Sequence, residues 1–176
     1  MSRSPLPWGL PLPPVSKGLR MKDRLNEAIA AARQVNPRAK LCRIFGLALQ
    51  ADGTVLLGQP GKYVPRWEYA FVDGEEEKVP PRYVTVLYLN PGAPLVDPNA
   101  GNVSSLEPFP AWAAPALADS DVLAAAFSAQ PGHEPMGGCD NDSILYQVEN
   151  GQPDVLLGNW KGQHLRMDPV TVAVKI

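Results

Sequence analysis

Two stretches of this chain carry apolar residues at helical spacing, and each is followed by short runs that alternate apolar and polar residues. The first stretch spans roughly residues 20–36. Met21, Leu25, Ala28, Ile29 and Ala32 form one stripe, and Asn36-Pro37 stops it. The second opens at Asp119 or Ser120, with Asp121 in the first turn where the helix dipole favours an anion. Val122, Leu123, Ala126 and Phe127 form its apolar side, and Gln130-Pro131-Gly132 ends it. Twenty prolines in 176 residues argue against long uninterrupted helices.

The runs after each helix read as strands. In KLCRIFGLALQ, Leu41, Phe45, Leu47 and Leu49 point one way, with Ile44 and Ala48 opposite. Ala51-Asp52-Gly53 marks a tight turn, and Val55–Leu57 resumes or closes the sheet. In RWEYAFVDG, Trp67, Tyr69 and Phe71 share one face. Sheet core is the simplest use of those rings, and an aromatic binding platform is the alternative. Tyr83–Leu89 is β-branched and aromatic, as strands prefer. After the second helix, Ile144, Tyr146 and Val148 alternate, Asn150-Gly151 signals a hairpin, Val155–Trp160 is the next strand, and Lys161-Gly162 turns again. Leu165 to Ile176 reads as a last strand with Val170, Val172, Val174 and Ile176 on one face, bent near Asp168-Pro169. Turns of two residues require antiparallel neighbours, so a doubly wound parallel sheet is disfavoured.

The expected fold class is therefore α+β, built as two units that each pack a helix on an antiparallel sheet. The divisions are a Pro-rich arm at 1–19, a first unit at 20–97, a linker at 98–115 and a second unit at 116–176. Phe109 and Trp112 in the linker are expected to tuck against a sheet. Units of about 70–80 residues have thin cores, so they would lean on one another. Hydrophobic residues at 45% suit a packed chain rather than a disordered one.

Net charge is −2, which by itself points to neither a polyanion nor a membrane partner. The distribution is uneven. Residues 1–100 hold 13 Lys/Arg against 9 Asp/Glu, a net +4, and residues 101–176 hold 3 against 9, a net −6. The early basic excess lacks the interleaved aromatics that stack on single strands, so nucleic acid is not favoured as a partner. Two cysteines make no disulfide framework. No apolar run is long enough to span a bilayer, and the prolines at the start interrupt any signal-like core, so the chain reads as cytoplasmic.

The second half resembles a PepSY-type, cystatin-like domain. In that family a capped helix follows a tryptophan, Asn-Gly-like turns join the strands, and the last strand begins near Asp-x-x-Thr. Trp112, Asp119-Ser120-Asp121, Asn150-Gly151 and Asp168-Pro-Val-Thr171 hold those places here. The first half, LNEAIAAARQV through RWEYAFVDGEE and YVTVLYL, is similar with longer loops. Val172 stands where the family has a glycine after the threonine. The resemblance implies a cystatin-like fold and a binding or inhibitory habit, with no catalytic residues and no cofactor.

Chemistry-bearing residues are few. His133-x5-Cys139, beside Asp140 and Asp142, offers the start of a metal site, but the paired Cys/His knuckles are missing. Asp140-Asn141-Asp142 offers oxygen ligands without a twelve-residue loop ending in Glu. Cys139, His164 and Asp168 make a nominal nucleophile, base and orienter. Cys42 reads as a small core residue. The favoured reading is a non-enzymatic protein- or peptide-binding module, with an inhibitor, immunity or adaptor role in a bacterium. Its candidate partner residues are Tyr63, Trp67, Glu75, Glu76, Glu77, His133, Asp140 and Asp142, on the loop Gly58–Pro65, the acidic tip Glu75–Glu77 and the loop Gly132–Asp142. The competing reading is a small metal-binding protein or enzyme centred on His133, Cys139 and His164.

Overall fold

The computed structural model describes residues 18–59, 63–73, 83–98, 107–137 and 141–175. The chain runs through α1 (Met21–Val35), β1 (Lys40–Leu47), β2 (Arg66–Val72), β3 (Tyr83–Tyr88) and β4 (Leu95–Asp97). It continues through α2 (Ala113–Ala116), α3 (Ser120–Ser128), β5 (Ser143–Glu149), β6 (Gln152–Gly158) and β7 (His164–Met167). The α+β class and the antiparallel pairing are as expected.

The strands belong to one sheet rather than to two. Its order is β4-β3-β2-β1-β5-β6-β7, and every neighbouring pair is antiparallel. The join is β1 with β5, from Ile44↔Tyr146 to Leu47↔Ser143. Each helix is thus followed by a meander that grows outward from a shared centre. Without this join, β1 and β5 would each be an edge with a row of unpaired N–H and C=O groups.

The helices cover one face. Met21, Leu25, Ala28 and Ala32 of α1 and Leu123, Ala124 and Phe127 of α3 meet Ile44, Trp67, Tyr69, Phe71, Val86, Tyr88, Ile144, Tyr146, Val155 and Leu157 in one continuous core. Each large side chain so buried contributes about 1.5–3 kcal/mol. Tyr69 and Tyr88 pack edge to face with ring centres 5.8 Å apart. Phe109 of the linker joins this core, whereas Trp112 stays 56% exposed.

Two local readings are corrected. A bulge lies between Leu41 and Arg43 on β1, so the extra residue, Cys42, shifts the alternation. Leu41 pairs with Phe71 and Ile44 with Tyr69, which places both on the helix side. Phe45 faces away. Cys42 instead joins Ala70 and Tyr83 in a small second cluster. The final strand is also shorter than its valines imply. It stops at Met167, and the chain doubles back until Val174 bridges Met167. The Asp168 carboxylate explains the reversal, since it accepts hydrogen bonds from the N–H groups of Val170 (2.8 Å) and Thr171 (3.1 Å). Burial pushes this carboxyl up, but those N–H groups and Lys175 outweigh it and hold it below its ordinary value.

Where α1 begins, its first N–H groups have no partner within the helix. The cap of α3 supplies them. The Met21 N–H donates to Ser120 Oγ (3.0 Å) and the Lys22 N–H donates to Asp119 Oδ1 (3.0 Å). The same Asp119 oxygen accepts from the Ser120 N–H at 2.8 Å. Two positive helix ends therefore meet around one set of acidic and hydroxyl oxygens.

Candidate functional site

Among the described residues, two of those singled out in the sequence, Trp67 and Asp142, are buried. Trp67 is fully buried, and its indole N–H donates to the Leu19 carbonyl at 2.9 Å. It belongs to the core and offers a partner nothing, which corrects the platform reading. Tyr63 is 41% exposed just before β2. Glu75, Glu76, Glu77, Cys139 and Asp140 lie outside the described residues. The described end of the Gly58–Pro65 loop enters β2 at Arg66, and Arg66 pairs with Leu47, which pairs with Ser143 just after Asp142.

His133 packs its ring on Phe127, with centres 4.5 Å apart, and its Nδ1 is buried without a hydrogen-bond partner. Asp142 is fully buried, and its Oδ2 accepts from the Gly137 N–H at 2.6 Å, folding that loop back. His164 is exposed and pairs across strands with Gly158. Its neighbour Leu165 packs on the helix-side core, so by the alternation of a strand His164 faces the other way. His133 sits against α3, and Gln163, next to His164, holds the loop on either side of His133 through the Gly132 carbonyl (2.7 Å) and the Glu134 N–H (2.8 Å). Asp168 is engaged in its turn. Among the described residues no group of three or more His, Cys, Asp or Glu side chains is placed to hold a metal.

A different place in the fold is built to hold something. The β1–β5 ladder begins only at Ile44, so the Lys40–Arg43 half of β1 diverges from β5. The strap 107–110 enters this gap: the Phe109 N–H donates to the Leu41 carbonyl at 2.8 Å, and the Glu107 carboxylate accepts from the Gly151 N–H at 3.2 Å. Between the strap and the last turns of α1 remains a groove of about 470 Å³. Ile29, Leu41, Phe71 and Phe109 give it an apolar floor, and Pro108, Pro110, Ala111 and Ala114 wall one side. Arg33 and Lys40 stand at it, both exposed. Neither has an ion-pair partner among the described residues, and no lining residue is acidic. The volume falls in the range of sites that seat small ligands or side chains, about 300–1,000 Å³.

These residues lie under a reading the sequence permits but does not single out. Ile29 and Arg33 are four apart and share a helix face, and Arg33 is part of the early basic excess. Phe109 was legible as a linker aromatic. Nothing local shows that α1, β1 and residue 109 converge. Chemically the groove can desolvate an apolar group and pair an anion beside it; its lining contains no general acid–base pair.

No protein-family model, curated protein or solved structure matches this chain.

Proposed function

We propose that this chain is a non-enzymatic protein- or peptide-binding module, acting as an inhibitor, immunity or adaptor protein, and that the groove beside the strap is where its partner seats. The observation that carries this is the conjunction of an apolar-lined groove with two exposed cations, Arg33 and Lys40, that find no counter-charge among the described residues. Arg and Trp are enriched where proteins bind, and Trp112 stands 56% exposed between Ala111 and Ala114 of the groove wall. We further propose that the halves are copies of one cystatin-like, PepSY-like unit. The repeated order of helix then antiparallel meander, on either side of the β1–β5 join, supports that view.

The test is site-specific photo-crosslinking in extracts of the source organism. A photoreactive residue replacing Ala111 is expected to trap one protein species that excess unmodified chain competes away. The same residue replacing Gln163, on the β6–β7 turn, is expected to trap none. Trapping from the turn but not from Ala111 overturns the assignment. Bound metal that disappears in His133→Ala would favour the metal-binding reading instead.

A further inference from the structure

The groove's charge and the apolar surface beyond it define its occupant more narrowly. We infer that it takes an extended acidic peptide segment, part of a protein partner, with a bulky apolar side chain on the floor and flanking carboxylates on Arg33 and Lys40. This rests on the binding reading above.

Three observations support it. First, the floor is made of Ile29, Leu41, Phe71 and Phe109, which supply only dispersion and desolvation, so the anchor must be apolar. Second, the two cations sit on different elements, Arg33 in the last turn of α1 and Lys40 at the start of β1. A ligand that answers both needs negative charge on either side of its anchor, and a planar guanidinium suits a carboxylate. Third, an exposed apolar ring adjoins the lining: Trp112, next to Ala111, is 56% exposed. A fatty acid or other small amphiphile seated on the floor would leave it in water, whereas a chain segment crossing the groove past Ala111 covers it.

The experiment is a display library of random ten-residue peptides selected on the whole protein, followed by amide NMR mapping of the enriched peptides. Dodecanoate serves as the small-amphiphile probe. The expected peptides carry Leu, Phe or Trp with Asp or Glu on both sides, and they shift Ile29, Arg33, Leu41, Phe71 and Phe109. Arg33→Glu/Lys40→Glu changes only exposed charges and should fold. It is expected to lose at least tenfold in affinity for those peptides and to accept lysine-flanked versions. Selected peptides with no acidic preference, or peptides that map elsewhere, overturn this inference and leave the broader binding reading standing. Dodecanoate shifting the groove while no peptide is selected overturns both.

Discussion

If the two helix ends cap one another, Ser120→Ala should cost far more than its small side chain implies. The Ser120 hydroxyl is fully buried and accepts the Met21 N–H at 3.0 Å. Removing it leaves a buried donor without a partner, a penalty of about 1–3 kcal/mol. Asp119→Ala removes two bonds from one oxygen, the N-cap bond to Ser120 and the bond from the Lys22 N–H. The cap alone accounts for ~0.5–2 kcal/mol, and a hydrogen bond to a charged group for about 1.5–3 kcal/mol. Asp119→Ala should therefore lower stability by roughly 2–4 kcal/mol once partial solvation is allowed for. Asp121 lies two residues along and pairs with the exposed Arg20 at 3.6 Å. Asp121→Ala should change stability by no more than about 0.5–1 kcal/mol. Urea unfolding of the four proteins measures this directly, with the slope expected to stay constant and only the midpoint to move. In a chain of this length each kcal/mol corresponds to about 2–4 °C in Tm. Hydrogen exchange should also quicken at the Met21 and Lys22 amides in Ser120→Ala. The reasoning fails if Ser120→Ala stays within 0.5 kcal/mol of the parent on the scale of ordinary surface changes, or if Asp119→Ala and Asp121→Ala are indistinguishable.

Two further outcomes follow from buried groups. Burial pushes the Cys42 thiol up to about 12, more than the Arg43 charge and the Val72 backbone pull it down, so alkylation at pH 8 should be slow until urea unfolds the chain. Because that folded value is above the unfolded one, the associated stability is complete below pH 9 and fades as pH rises toward 12. Tyr69 and Tyr146, also raised chiefly by burial, act in the same direction above pH 10. Alkaline unfolding should accordingly set in above pH 9–10, followed by circular dichroism, and rapid alkylation of Cys42 in the folded state, read in Cys139→Ser, would contradict its burial. At the centre of the sheet, Trp67→Ala should cost ~3–5 kcal/mol. Gly46→Ala would place a methyl 2.6 Å from the Trp67 ring and cost ~1–3 kcal/mol. Normal stability in both variants would return Trp67 to the surface.

What could be read in advance was local. The stripe Met21, Leu25, Ala28, Ile29 and Ala32 predicts α1, and the structure buries all of it but Ile29, which is only partly covered. Asn150-Gly151 predicts a two-residue hairpin, and the structure pairs Glu149 with Gln152 while both turn residues take positive φ, 52° and 74°. Asp119 or Ser120 predicts the start of α3 because an N-cap oxygen answers an N–H of its own helix, and the structure gives that place to Asp119. Trp112 misled, since an aromatic in a linker carries no sign of which way it faces. The valines after Met167 misled because an alternating run says nothing of a carboxylate that captures the N–H groups two and three residues on.

The candidate site was less legible, because its parts are remote in the chain. Ile29, Lys40, Phe71 and Phe109 each read as ordinary helix, strand or linker residues. Periodicity and turn chemistry act over a few residues, and they determined where helices and hairpins form. Which strands pair across the middle, which cap serves which helix, and where a gap stays open depend on satisfying backbone groups and burying surface among segments up to a hundred residues apart. Only the folded chain settles those, since such partners compete through space and leave no local mark.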